Sequence, residues 1–243
     1  KDKTQVEVRF AFCFPDTYEV GMSHLGMKIL YSLLNQQDYC WCERVFAPWT
    51  DMENEMRYAD IPLYALESFD PISEFDIIGF TLQYELSFTN VLNMLDLGKI
   101  PVYAKDRTRL KNLVVAGGPC ACNPEPLADF VDLFMLGEGE DVIVQLVDLY
   151  RKAKQLGWNK QQFLQQACQI EGVYVPSFYE VSYHEDGTIQ AITAKDPAPK
   201  TVKKRIVQDM SHTFYPENFV VPYVETIHDR AVLELMRGCI RGC

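Results

Sequence analysis

No apolar run in this sequence approaches the roughly 20 residues that a helix needs to cross a bilayer, so no membrane partner is expected. The N-terminus carries no secretory pattern, because Glu7 and Arg9 interrupt its apolar stretch. Positive charge is scarce: 23 Lys and Arg stand against 34 Asp and Glu, for a net charge of −11. A surface of that sign repels phosphate backbones and argues against nucleic-acid binding. There is no internal repeat and no low-complexity tract. Cysteine, by contrast, is plentiful. Eight cysteines in a chain without an export signal point to reduced thiols or metal ligands rather than a disulfide framework, and to a cytoplasmic location. The 243 residues, 48% hydrophobic and 23% charged, suit one large domain or two modest ones.

Short apolar runs alternate with helical patterns over the first 150 residues. Strands are predicted at Val6–Phe14, Tyr39–Ala47, Ile61–Leu66, Phe75–Leu82, Leu113–Ala116 and Leu133–Leu136. Met22, Leu25, Ile29 and Leu33 recur near a 3.6 period and predict a helix over Gly21–Asn35. Further helices are predicted over Asp51–Tyr58, with Asp51 as its cap, over Phe88–Leu97 and over Asp141–Gln155, with a short one at Leu127–Phe130. This order implies an α/β fold: a Rossmann- or flavodoxin-like, mostly parallel sheet with helices on both faces. The special loops, Pro15–Gly21, Gln83–Ser87, Gly117–Cys122 and Gly137–Asp141, then share the carboxyl edge where such sheets bind ligands. Beyond Gly157 the pattern changes to a short helix at Lys160–Cys168, a strand at Val173–Val175 and a β-hairpin. The hairpin pairs Phe178–Tyr183 with Thr188–Thr193 through an Asp186-Gly187 turn. Asp196–Thr201 reads as a linker, Lys203-Lys204-Arg205 as a solvated edge, and Phe214–Glu225 as a segment draped over a neighbouring surface. The expected division is therefore 1–157, 158–228 and 229–243.

Three groups of residues carry chemical promise. Ala231–Met236 reads as a strand that leads into Arg237-Gly238-Cys239-Ile240-Arg241-Gly242-Cys243, and thiolates suit iron-rich centres. Arg237 and Arg241 favour deprotonated thiols, and the glycines permit a folded loop path. Gly117-Gly118-Pro119 follows one strand and Gly137-Glu138-Gly139-Glu140 the next. Glu140 and Asp141 also suit the start of a helix. Tyr18 and Gly21 lie in the first loop, just ahead of His24. Two further pairs, Cys40/Cys42 and Cys120/Cys122, have metal-chelating spacing, but small buried thiols are the simpler reading.

The Cys-x3-Cys pair in its Gly- and Arg-rich loop resembles the first two-thirds of the C-x3-C-x2-C cluster loop of radical SAM enzymes. The Gly-Gly-Pro, Gly-Glu-Gly-Glu and Pro-x-x-Tyr-x-x-Gly-Met segments resemble the cobalamin-binding-type domain that precedes many radical SAM barrels. His228-Asp229-Arg230 matches a subgroup in which that domain is fused ahead of the barrel, and there Asp229 and Arg230 read as anchors of the linker. The resemblance implies a parent enzyme in which Cys239 and Cys243 hold two irons of a [4Fe–4S] cluster, with the third cysteine beyond the chain. S-adenosylmethionine would be cleaved there to a 5′-deoxyadenosyl radical acting on an unknown substrate. It implies that 229–243 begin the barrel, that the barrel is the domain's own partner, and that this piece alone is inactive. It also implies cobalamin as a candidate cofactor, with Tyr18, Gly21, Gly117, Gly118, Pro119, Gly137, Glu138, Gly139 and Glu140 as binding residues. His24 does not reproduce the Asp-x-His-x-x-Gly cobalt-ligand motif and reads as a helix-face histidine. The alternative is a degenerate Rossmann-like module that recognises a substrate or partner without a cofactor of its own.

Overall fold

Strand β1 (Val8–Phe14) sets the frame. Phe10, Phe12 and Phe14 enter one core while Ala11 and Cys13 enter the other. A strand buried on both faces belongs inside a sheet covered on both sides. The computed structural model, which describes residues 1–228 and 230–241, places it there. β1 is flanked by β2 (Cys40–Phe46) and β3 (Ile77–Thr81), and β4 (Leu113–Gly117) and β5 (Leu133–Met135) follow, all parallel. A sixth strand, β6 (Val173–Tyr174), runs antiparallel to β5. The order β2-β1-β3-β4-β5-β6 is that of a flavodoxin-like doubly wound sheet extended by one edge strand, as the α/β reading requires.

Helices α1 (Tyr18–Gly21) and α2 (Leu25–Gln36) cover one face, together with α5 (Gly139–Leu156) and α6 (Lys160–Ala167). Helices α3 (Thr50–Tyr58) and α4 (Phe88–Leu97) cover the other. Helix α4 has the predicted bounds. The hairpin forms from β7 (Tyr179–Tyr183) and β8 (Ile189–Ala194), with Asp186 Oδ1 accepting from the Thr188 amide at 2.9 Å across the turn.

Several expectations are corrected. The helix predicted over Gly21–Asn35 breaks at Met22–His24, because His24 caps α2. Asp51 does not cap α3: Trp49 holds that position without a side-chain bond, and Asp51 sits in the first turn. Ile61–Leu66 is not a strand. Its backbone is shared among unlike partners, with Leu63 N–H donating to Leu97 and Leu66 N–H to Arg44. Ala231–Met236 is no strand either; a strand needs a neighbouring ladder, and no sheet strand pairs with it among the described residues.

At the sheet's amino edge, charges close the structure. Asp132 accepts from the Val114 amide and Arg107 Nε through Oδ2, and its Oδ1 lies 2.6 Å from Lys160 Nζ. Arg107 also donates to the carbonyls of Pro101, Val102 and Phe130. Burial pushes the Lys160 ammonium below its ordinary pKa, and the facing carboxylate partly restores it. Among the described residues, no helix is long and apolar enough to cross a membrane.

Candidate functional site

The loops after β1, β3, β4 and β5 meet at the carboxyl edge, and side chains stitch them together. Tyr84 donates to Asp16 at 3.1 Å and Asn90 to the Pro15 carbonyl at 2.9 Å, joining the loops on either side of the topological switch between β1 and β3. Below them lies a cavity of about 250 Å³ walled by Phe12, Leu30, Gly117, Gly118 and Gly139, with His24 and Gln83 at its polar side.

His24 organises that polar side. Its Nδ1 accepts from the Met27 amide at 3.1 Å, and its Nε2 lies 3.0 Å from Gln83 Oε1. The first bond requires a lone pair on Nδ1, so Nε2 carries the proton and donates to Gln83. Gln83 in turn donates to Thr81 Oγ1 at 2.6 Å. Burial lowers the His24 pKa, opposed in part by the Gln83 bond. Both ring nitrogens are engaged, so the histidine is a cap and a loop tie rather than a free metal ligand.

Each residue predicted to bind a cofactor is placed at or beside this edge, and each polar one is held by the chain's own later residues. Gly118 has φ +101°, and a Cβ there would sit 2.7 Å from the Leu82 carbonyl oxygen. Gly117 and Pro119 line the cavity beside it. Gly137 has φ +98°, and a side chain would run into the Arg205 backbone. That approach lets Arg205 pair in parallel with Gly137: its amide donates to the Leu136 carbonyl at 2.8 Å and its carbonyl accepts from the Glu138 amide at 3.0 Å. The reading of Lys203–Arg205 as a solvated edge is thus corrected for Arg205, which continues the sheet at this loop. Glu138 accepts from the Val207 amide. Gly139 opens α5 against Leu30. Gly21 packs against the rings of Phe14 and Phe46. Tyr18 stacks edge-on against Phe46 and accepts from the Tyr223 amide at 2.9 Å, so Phe214–Glu225 drapes over the domain as expected.

A further contact joins the two motifs. Arg237 donates to Glu140, lies 3.6 Å from Glu138, and is held by Glu234 at 2.7 Å. The Glu234 hydrogen bonds, followed by that of Glu140, push the guanidinium pKa up against the effect of burial. The same pairing holds the Glu234 carboxyl below its ordinary range. Two residues on, Cys239 is a free, exposed thiol whose sulfur accepts from the Arg241 amide at 3.4 Å. Cys243 and Asp229 lie outside the described residues. Among the described residues, no three His, Cys, Asp or Glu converge as a metal site. Cys40 and Cys42 are core thiols, with burial pushing Cys40 up to about 12 and Cys42 well above its ordinary value. Cys120 and Cys122 lie on a short 3-10 turn, and Cys122 is exposed.

Sequence reasoning named Arg237, Glu138 and Glu140 but not their pairing, and it missed Arg205 and Val207, to which no local motif points.

The chain is 27% identical over 237 residues to an uncharacterized protein of Methanocaldococcus jannaschii; the match covers 96% of this chain and 39% of that protein. The chain therefore spans about two fifths of the length of this curated relative. Among solved structures it is similar to the cobalamin-dependent S-adenosylmethionine radical enzyme OxsB with aqua-cobalamin and S-adenosylmethionine bound. There the TM-score is 0.45 at 13% identity, over 82% of this chain and 22% of the other. It is also similar to the radical S-adenosylmethionine methyltransferase TsrM from Kitasatospora setae, with a TM-score of 0.41 at 13% identity over 74% and 29% of the two chains. Residues 26–176, more than half of the chain, match the family described as radical SAM proteins, N-terminal. On that match, the chain belongs to the radical SAM proteins and carries their N-terminal region.

Proposed function

We propose that this domain is the docking platform of a radical SAM enzyme, and that its Gly-Glu-Gly-Glu loop positions the loop that carries the iron–sulfur cluster. The observation that carries this reading is the grip of Glu138 and Glu140 on Arg237, two residues before Cys239. Two carboxylates and Glu234 fix the guanidinium, and charge-assisted bonds of this kind set position as well as energy. The Cys239 environment fits a cluster: the thiol is free and exposed, on a loop that Arg237 ties to the sheet. Cys239 and Cys243 are the proposed ligands in this chain. A [4Fe–4S] cluster held there would, once reduced by an external one-electron donor, supply the electron for reductive cleavage of S-adenosylmethionine. The domain's own residues orient that loop and tie it to the sheet.

The barrel of the whole protein is the proposed partner. In support, Val221, Tyr223, Leu233, Leu235 and Ile240 are exposed in one stretch of chain, an apolar surface suited to burial against further protein.

We read the carboxyl edge as a docking surface rather than a corrinoid site, with no cofactor of the domain's own. In support, Glu138, Glu140 and Tyr18 are engaged by Val207, Arg237 and Tyr223, and the His24 ring has no free nitrogen. The test is anaerobic reconstitution of the intact protein with iron and sulfide, followed by addition of S-adenosylmethionine and a low-potential reductant such as dithionite. Iron bound per chain and 5′-deoxyadenosine released from S-adenosylmethionine are the expected results, and their absence overturns the enzyme reading. Titration with hydroxocobalamin is expected to leave the corrin spectrum unchanged; a saturable shift overturns the docking-only reading.

A further inference from the structure

A second cavity, of about 620 Å³, opens beside α1 at the carboxyl end of β2. Of its walls, the docking reading uses only the Tyr18 hydroxyl. Its walls are rich in aromatic rings: Tyr18, Phe46, Trp49 and Tyr64. Its charged groups are Glu19 and Asp51, and no Lys, Arg or His lines it among the described residues. Trp49 is 67% exposed, so its indole is accessible at the mouth of the cavity. The Tyr18 hydroxyl is tied to the Tyr223 amide, so that side chain offers the cavity its ring rather than its polar tip. Tyr18 and Phe46 stand edge to face with centroids 5.2 Å apart in the wall that Trp49 shares.

We propose that this cavity binds a small organic cation of the alkylammonium class. Ring faces attract cations through their quadrupole, and the attraction grows as water is excluded. Apolar walls alone would accept any hydrocarbon; two carboxylates with no opposing cation select positive charge. The N-terminal end of α3 opposes a cation, but Asp51 and Glu53 in its first turn offset that dipole. Trp49 supplies the principal ring, and Glu19 and Asp51 supply the charge preference.

Calorimetric titration of the intact protein with choline, and with its neutral isostere in which carbon replaces the quaternary nitrogen, tests this. Choline is expected to bind saturably and at least about fivefold more tightly than the isostere, the ratio that roughly 1 kcal/mol of cation–π attraction produces. Trp49→Ala is expected to weaken choline about tenfold while the circular dichroism spectrum is retained, since the residue is exposed and makes no cap bond. The pair Glu19→Gln and Asp51→Asn is expected to weaken it severalfold and to flatten its dependence on salt. Equal binding of the isostere, no saturable heat with choline, or unchanged affinity in Trp49→Ala overturns the proposal.

Discussion

The two edges of the sheet are built on different plans. At the amino edge the charges are closed among themselves: Asp132 with Arg107 and Lys160, and Asp76 with Lys154 and the Arg9 amide. These side chains belong to the α/β body, and the Asp132 group is almost wholly buried. At the carboxyl edge the loops are glycine-rich, and their partners, Arg205, Val207, Tyr223 and Arg237, come from the chain that follows the hairpin. One edge holds the domain together; the other holds something to the domain. Damage to the first should cost folding, whereas damage to the second should cost placement.

Asp132→Ala should have the largest effect. It strands two buried cations and should destabilise the domain by about 3–5 kcal/mol, read by urea unfolding. Gly137→Ala should come next, at about 1–3 kcal/mol, because the residue needs positive φ and abuts the Arg205 backbone. Its signature should be faster proteolysis after residue 200 than within the sheet. Arg237→Ala should cost only about 1 kcal/mol of domain stability, since the pair is partly solvated. It should nonetheless reduce iron incorporation in the intact protein. If Arg237→Ala unfolds the domain as Asp132→Ala does, the contrast between the edges is lost.

The smallest effect concerns pH. The folded His24 pKa lies below the ordinary 6.5, so the unfolded chain binds the proton more readily. Its contribution to stability is full above pH 6.5 and is lost as pH falls through the folded value. His24→Asn retains an N-cap acceptor and should remove this part of the acid sensitivity, measured as melting temperature against pH.

The sequence pattern revealed most of the sheet. β3 and β4 are short runs without a charge, β1 is broken only by Arg9, and α4 carries an unambiguous period, so local chemistry was sufficient. What it concealed depends on partners distant in the chain. Ile61–Leu66 has strand composition, yet its amides go to Leu97 and Arg44 rather than to one ladder. Arg205 sits in a basic run that looks solvated, but its backbone serves Gly137. The same holds at the site. The Gly-Glu-Gly-Glu motif was visible as a candidate binding loop. That the Arg205 backbone and the Arg237 side chain approach this loop is written in no local pattern.

A double-mutant cycle between Glu140 and Arg237 in the reconstituted intact protein, read as 5′-deoxyadenosine formed per bound cluster, bears most directly on the central claim. Glu140→Gln and Arg237→Ala should each lower the rate, and together they should lower it no further than the worse of the two, because each breaks the same tie. Strictly additive losses, or single variants with undiminished rates, would contradict it.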